Sequence, residues 1–301
     1  MIVRPTQSRH TLGIVLIIFA VFLIAGIDTS AKWLMVHGMP PPQAMVVRFM
    51  MHVVVMAVIF APVMPQQLVR VHYPIPVLLR ALALLASTVF NFYGIKYLSL
   101  TMHSAIMFTA PMWVCVLSIP LLGERIGLQR WAALCAGFIG VLIITRPWQA
   151  DAHWAVIFSI LAAASLAIYM ILTRSLAGKD TATAQQFYAG LIPLIVLSPF
   201  ALGGWIWPTT LIDWVAFVMV GVFGWSSHQV ISIASRFAPA STLAPFMYLQ
   251  IVFMVLSSWL IFHQPPNPWV LIGAFIVLVG GLWIWWCEVI HKMSHPAHKT
   301  P

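Results

Sequence analysis

The chain has 301 residues, 62% hydrophobic and 7% charged, with a mean hydropathy of +0.98 and a formal net charge of +9. Soluble domains carry roughly 25% charged residues, so a soluble fold is excluded, and no polar stretch is large enough for a separate catalytic or output domain. The Lys and Arg residues lie at the ends of apolar runs, where they report membrane topology and not nucleic-acid binding.

A spanning helix needs about 20 mostly apolar residues. The chain divides into ten such runs, at residues 11–35, 43–62, 75–98, 101–120, 128–145, 153–175, 184–202, 211–235, 239–262 and 268–287. The first follows Arg4 and Arg9 and has no small-x-small cleavage pattern, so it reads as a retained helix and not a leader. Proline sets most of the breaks because it cannot continue a helix. Pro40, Pro41 and Pro42 follow span one, and Pro62, Pro65, Pro74 and Pro76 bracket the loop after span two. Gly203, Gly204 and Pro208 separate spans seven and eight, and Pro265, Pro266 and Pro268 separate nine and ten. The division at Ser99–Thr101 has no proline, but a continuous run there is too long for one bilayer crossing.

With the N-terminus in the cytoplasm, eleven cations fall at inner ends: Arg4, Arg9, Arg70, Arg80, Arg125, Arg130, Arg174, Lys179, Arg236, Lys292 and Lys299. Lys32, Lys96 and Arg146 fall at outer ends, and Arg48 lies within span two. This asymmetry predicts that both termini are cytoplasmic, in the inner membrane. The halves also repeat. An offset of 142 lays Ala20 on Ala162, Lys32 on Arg174 and Gln43 on Gln185. Offsets of 139 and 140 lay Val116-Leu117-Ser118 on Val255-Leu256-Ser257 and Gly140 on Gly280. Five spans per repeat is an odd number, so the halves are inverted, as in many secondary transporters. The expected units are residues 1–150 and 151–290, followed by a cytoplasmic tail at 291–301.

Several features carry a resemblance. They are the five-span unit, the cations Lys32 and Arg174 ending the first span of each half, Ala110-Pro111 in span four and Gly123-Glu124-Arg125 before span five. Together they resemble the EamA branch of the drug/metabolite transporter superfamily, over roughly residues 11–287. The second half departs from that pattern, with His263-Gln264 in place of Gly-Glu and Tyr248-Leu249-Gln250 in place of Thr-Ala-Pro. The resemblance implies an all-α membrane fold of ten helices in two inverted repeats, with a central cavity between spans one, three, four, six, eight and nine. It extends to YddG-like amino-acid exporters, and to uptake systems for vitamin-like or nucleoside-like solutes.

Asp28 is the one acid deep within a span, and intramembrane ionisable groups are functional candidates. It could bind a substrate ammonium or carry a coupling proton; alternatively, Asp28, Lys32 and Arg48 form a structural charge cluster near the outer surface. Asn91, Ser104 and Tyr169 are candidate cavity contacts, and His103 a coupling or gating group. Trp225, His228 and Gln229 belong to the densest polar stretch inside an apolar run, and His228 suits a proton relay. Tyr248 and Gln250 are expected on the facing wall. Pro111 and Pro245 interrupt the backbone ladder and are candidate hinges. Trp33, Trp148, Trp154, Trp205, Trp207 and Trp269 read as interfacial anchors. His291, His295 and His298, interleaved with Lys292 and Lys299, read as a basic tail and not a metal site.

No hydrolase, nucleotide-binding or metal motif is present. The sequence therefore reads as a transporter of small metabolites, most simply amino acids, with export favoured by the resemblance. It needs no cofactor, and its driving force is a substrate, proton or ion gradient. Uptake of a vitamin-like or nucleoside-like solute is the alternative, and an intramembrane lipid-acting enzyme a more distant one. The oligomeric state is left open.

Overall fold

The computed structural model describes residues 7–110, 112–114, 116–117, 135, 139–140, 142–143, 146, 153–176, 180–237, 246–247, 249–276, 278–279 and 282–283. Pro111, Pro245, Tyr248, the turn at Gly123-Glu124-Arg125, Arg130, Trp148 and the tail histidines lie outside the described residues, as does the side chain of Arg174. Among the described residues there is no strand. The long helices are α1 (Gln7–Val36), α2 (Pro41–Phe60), α4 (Pro74–Tyr97), α6 (Val156–Ser175), α7 (Ala182–Ala201) and α8 (Leu211–Phe237), with shorter α3 (Pro65–Val69), α5 (Leu100–Met107) and α9 (Gln250–Leu260). Six of them contain apolar stretches of 18 residues or more, long enough to cross a bilayer.

Local chemistry fixes the helix ends. Proline sits at the first turn of α2, α3 and α4, where its missing N–H costs nothing. Gly38, at φ 95°, ends α1 while Met39 N–H bonds back to Leu34 O at 3.0 Å, the Schellman arrangement. The division near Ser99 falls where Leu98 turns extended and Ser99 caps α5 by accepting from Met102 N–H. The fourth expected span, 101–120, is not one continuous helix. It breaks at Phe108–Thr109, one turn before Pro111, which has no N–H to offer the Met107 carbonyl. α9 is capped by Ile261, and two residues on His263 takes a left-handed backbone at φ 52°, in the place of the glycine in the family's Gly-Glu pair.

The packing obeys the repeat. α1 lies against α8 and α4 against α6, which are equivalent pairs under exchange of the halves. α2 packs on α7 and α5 on α9, the pairs that such an exchange maps onto themselves. Ends that meet confirm the antiparallel sense. Where α1 ends, Trp33 Nε1 donates to Asp213 Oδ1 at 2.9 Å, and Gln43 bonds both backbone groups of Ile206. Where α1 begins, Ile17 and Ala20 pack on Ala234. At Gly221 the α8 backbone approaches Met51 and the Arg48 carbonyl so closely that no Cβ would fit. A belt of exposed apolar side chains, including Phe19, Phe22, Ile75, Leu79, Ile195 and Phe200, faces outward, as a lipid-solvated surface requires. Trp154, Trp207 and Trp269 are exposed near helix ends, but Trp33 is a helix-to-helix donor and not simply an anchor.

On the face where α1 begins, loops of the two halves are stapled together. Asp180 accepts from His72 N–H (2.7 Å), Tyr73 N–H (2.9 Å) and the His72 ring (3.0 Å). Tyr188 donates to Val69 O and Thr181 to Gln67 O. Burial disfavours the Asp180 carboxylate, but the His72 and Tyr73 N–H groups and the His72 ring outweigh it and hold its carboxyl below the usual carboxylate range. A lowered folded-state pKa stabilises the fold above the unfolded value of 3.8 and stops doing so as pH falls through the folded value. Asp180→Asn should therefore lower the melting temperature in detergent at pH 7, with the deficit shrinking as pH falls through the lowered folded-state value. His263→Gly should raise stability by about 1 kcal/mol by relieving a left-handed backbone, read by thermal unfolding; an unchanged or lower melting temperature contradicts it.

Candidate functional site

α4 presents one polar stripe: Arg80, Thr88 and Asn91, with Leu84 between. The spacing of eight and three residues puts them on one helical face. Each holds a partner on another helix. Asn91 Nδ2 donates to Asp28 Oδ1 on α1 at 2.9 Å. Thr88 Oγ1 accepts from Arg48 Nη1 on α2. Residues three apart on a helix have Cβ atoms about 5–6 Å apart, so Thr88 and Asn91 bring a guanidinium and a carboxylate side by side inside the membrane. Arg48 and Asp28 sense each other's charge without forming a direct ion pair among the described residues.

Asp28 sits at the end of a hydrogen-bonded chain. His103 Nε2 meets Asn91 Oδ1 at 2.6 Å, and His103 Nδ1 meets Ser159 Oγ at 2.8 Å. Asn91 gives its N–H to the carboxylate, so its oxygen must accept from His103 Nε2–H. In the neutral imidazole Nδ1 is then the acceptor for the Ser159 hydroxyl. Every donor points toward Asp28: α6 to α5 to α4 to α1. Asp28, His103 and Ser159 are 7%, 1% and 0% exposed. Gly94 makes the chain geometrically feasible, since a Cβ there would lie 2.8 Å from His103 Nδ1 and 3.0 Å from Ser159 Oγ.

The structure does not bear out a paired cluster of Asp28, Lys32 and Arg48. Lys32, buried, donates to Leu98 O at 2.7 Å and to Gln264 Oε1 at 3.2 Å, with the Phe262 ring 5.3 Å away. It closes the α4–α5 turn and the loop after α9 at the face where α1 ends. The reason is reach: one turn beyond Asp28, the ammonium meets free loop carbonyls nearer than the carboxylate.

A second cluster lies toward the other face. Arg80, 2% exposed, donates to Thr173 Oγ1 (2.8 Å), Gln185 O (2.8 Å) and Tyr169 OH (2.7 Å). Its guanidinium carbon lies 4.6 Å from the Tyr169 ring centroid, and that ring meets His228 edge-on at 6.3 Å. His52 is buried beside it, its Nε2 3.2 Å from Gln186 O. His52 and Arg80 meet the neighbouring carbonyls of Gln186 and Gln185, and His52 lies one helical turn after Arg48 on α2.

Of the residues expected from sequence, Asp28, Asn91 and His103 come together in the chain, and Tyr169 and His228 in the second cluster. Ser104 Oγ is buried and unpartnered among the described residues. Trp225 Nε1 contacts Met56 Sδ at 2.8 Å, linking α8 to α2. Gln229 and Gln250 are half-buried and join neither cluster. Ser226 and Ser227 bond their own helix backbone. Sequence reasoning missed Thr88, Ser159, His52 and Arg80 as site residues. Arg80 carried a signal, a cation six residues inside a run opened by Pro74, but it was counted with the inner loop charges.

The chain matches the EamA-like transporter family over residues 11–146 and 153–286. It belongs to that family. It is a multi-pass membrane protein of the transporter type, with two inverted repeats. It is 28% identical over 196 residues to the S-adenosylmethionine uptake transporter of Rickettsia bellii, covering 65% of this chain and 67% of that one. It is 29% identical over 180 residues to the riboflavin transporter of Vibrio cholerae (58% and 59% covered) and 25% identical over 191 residues to the pseudopaline exporter CntI of Pseudomonas aeruginosa (63% and 67% covered). The matched segments thus span about two thirds of these relatives or less. One solved crystal structure shares the fold, with a TM-score of 0.62 at 17% identity, covering 95% of this chain and 100% of the other.

Asn91→Leu should leave a buried carboxylate without its donor and His103 without its acceptor, a loss of roughly 3 kcal/mol. Ser159→Ala, at the far end, should cost about 1 kcal/mol. Equal losses in thermal unfolding would contradict the directed chain.

Proposed function

We propose that this chain is a secondary transporter of a small amino-carboxylate metabolite, working by alternating access of its two halves in a bacterial-type inner membrane with both termini cytoplasmic. The observation that carries the reading is the juxtaposition of Asp28 and Arg48 by Asn91 and Thr88 on one turn of α4. A carboxylate for the ammonium and a guanidinium for the carboxylate are what a zwitterion requires. Among the described residues Arg48 uses one N–H, on Thr88, which leaves the rest of its fork for a ligand. Phe49 and Phe92, whose ring centroids lie 5.1 and 5.9 Å from its guanidinium carbon, keep that fork in place.

Transport follows from exclusive occupancy of Asp28. The carboxylate can hold a proton or face a substrate ammonium, but it gains little from both at once. When Asp28 is ionised, the chain from Ser159 through His103 and Asn91 points donors at it. When it is protonated, a flip of the Asn91 amide and movement of the His103 ring proton from Nε2 to Nδ1 re-form every bond of the chain in the opposite direction. A proton and a substrate competing for one carboxylate give exchange in opposite directions, and under an inward proton gradient that means export. Units of residues 1–150 and 151–290 rock against each other, with the Lys32 contacts to Leu98 and Gln264 closing one face and the Asp180 staple the other.

A second reading is favoured by two relatives, which are named for uptake of S-adenosylmethionine and transport of riboflavin: inward movement of a nucleoside-like or vitamin-like solute. Flux in proteoliposomes separates the two. With a panel of labelled amino acids, an imposed proton gradient should drive saturable counterflow, and Asp28→Asn should abolish the gradient effect while lowering flux about 100-fold. Gradient-driven flux that survives Asp28→Asn, or flux restricted to riboflavin-like solutes, rejects the amino-carboxylate reading.

A further inference from the structure

The second cluster has an unbalanced charge. Arg80 is 2% exposed, yet every acceptor it meets is neutral: a threonine hydroxyl, a backbone carbonyl and a tyrosine hydroxyl. No carboxylate is in salt-bridge contact with it among the described residues. His228 stands half-buried with no hydrogen-bond partner for either ring nitrogen among the described residues, against the Tyr169 ring. His52, buried on α2, adds a third basic side chain, its Nε2 at the Gln186 carbonyl next to the Gln185 carbonyl that accepts from Arg80. Arg48 and His52 are four residues apart on α2, on one helical face, so the cluster adjoins the Asp28–Arg48 pair. Within the described spans Arg48 and Arg80 face this space, and Asp28 is the one acid there. A buried guanidinium without an anion is costly in a membrane protein, and its two unused N–H groups invite one.

We infer that Arg80, Tyr169, His228 and His52 form a second anion subsite, so that the substrate is an acidic amino-carboxylate carrying a carboxylate or phosphate at its far end. This rests on the amino-carboxylate reading of the Asp28–Arg48 pair. The geometry sets the length of the ligand. Arg80 and Thr88 are eight residues apart on α4, about 12 Å along the axis; Arg80 holds Tyr169 on α6 and Thr88 holds Arg48 on α2. The far acid is therefore separated from the α-carbon by several bonds. The same excess of positive charge disfavours a substrate with a fixed cation, such as S-adenosylmethionine.

The test is thermal stabilisation of the purified full-length protein, titrated with matched compounds. Glutamate, 2-aminoadipate and O-phosphoserine are each compared with a neutral counterpart (glutamine, norleucine and serine), and glutarate and S-adenosylmethionine complete the set. At least one acidic member should bind about tenfold or more tightly than its counterpart. The carboxylate and phosphate members identify which anion fits. The acid-to-neutral ratio should fall toward one in Arg80→Gln. Arg80 also ties three groups together and its loss can unfold the protein, so His228→Gln and Tyr169→Phe serve as the second and third variants, with the same ratio as readout. Equal binding of acidic and neutral members overturns the subsite and leaves the Asp28–Arg48 reading intact. A preference that persists in all three variants also overturns it. Glutarate binding as well as glutamate, with the preference lost in His228→Gln, keeps the subsite and rejects the ammonium role of Asp28. Binding of S-adenosylmethionine above every acidic member overturns the inference, and binding of no member overturns both readings.

Discussion

One turn of α4 organises the interior. Thr88 and Asn91 are neutral and short, yet they fix the positions of the two charges that matter most, Arg48 and Asp28. Without them a guanidinium and a carboxylate this close would collapse into an ion pair and fill the space between the halves. Held on hydroxyl and amide instead, both charges keep unused hydrogen-bonding capacity. The low dielectric around them makes that capacity strong and makes an empty site unstable. A ligand of matching charge is the natural complement.

The rest of the fold serves this turn. α4 packs on α6, and Ser159 on α6 ends the chain that reaches Asp28 through His103 and Asn91. Gly94 clears the space for that chain, and Gly221 lets α8 pack closely on α2 at Met51 and the Arg48 carbonyl. The pseudo-two-fold packing places α1 against α8 and α4 against α6, so polar groups of both halves meet at the midline. The faces are closed by contacts of different strength. Lys32 makes hydrogen bonds to a carbonyl and an amide, and Asp180 gathers three donors. Lys32 has no carboxylate in salt-bridge contact among the described residues, whereas Asp180 meets the His72 ring at salt-bridge distance, 3.0 Å.

Much of the architecture was legible in the sequence because its causes are local. Prolines 41, 65 and 74 start helices where the sequence places breaks, and Ser99 caps the helix that composition alone could only argue must begin there. Asp28 was legible as a solitary intramembrane acid. Its partners were not, because a hydrogen bond from Asn91 to Asp28 spans 63 positions and one from His103 to Ser159 spans 56. Thr88 and Ser159 look like ordinary small polar residues in apolar helices until their neighbours are known. Arg80 was hidden by a rule that is otherwise sound. A cation near a helix start is usually a loop charge, and only packing against Thr173, Tyr169 and Gln185 shows that it turns inward. The departure at His263-Gln264 was visible as a mismatch, and its meaning came from a backbone angle and the Lys32 contact.

The central claim is that Asp28 and Arg48 hold opposite ends of one ligand. The most direct measurement pairs ligand and protein deletions: affinity of one amino-carboxylate, its decarboxylated amine and its deaminated acid, for the unaltered protein, Asp28→Asn and Arg48→Gln. Removing the ammonium should weaken binding in the unaltered protein but not further in Asp28→Asn, and removing the carboxylate should weaken it but not further in Arg48→Gln. Additive losses in both pairings would mean that neither residue touches the group assigned to it, and the account of the site would be wrong.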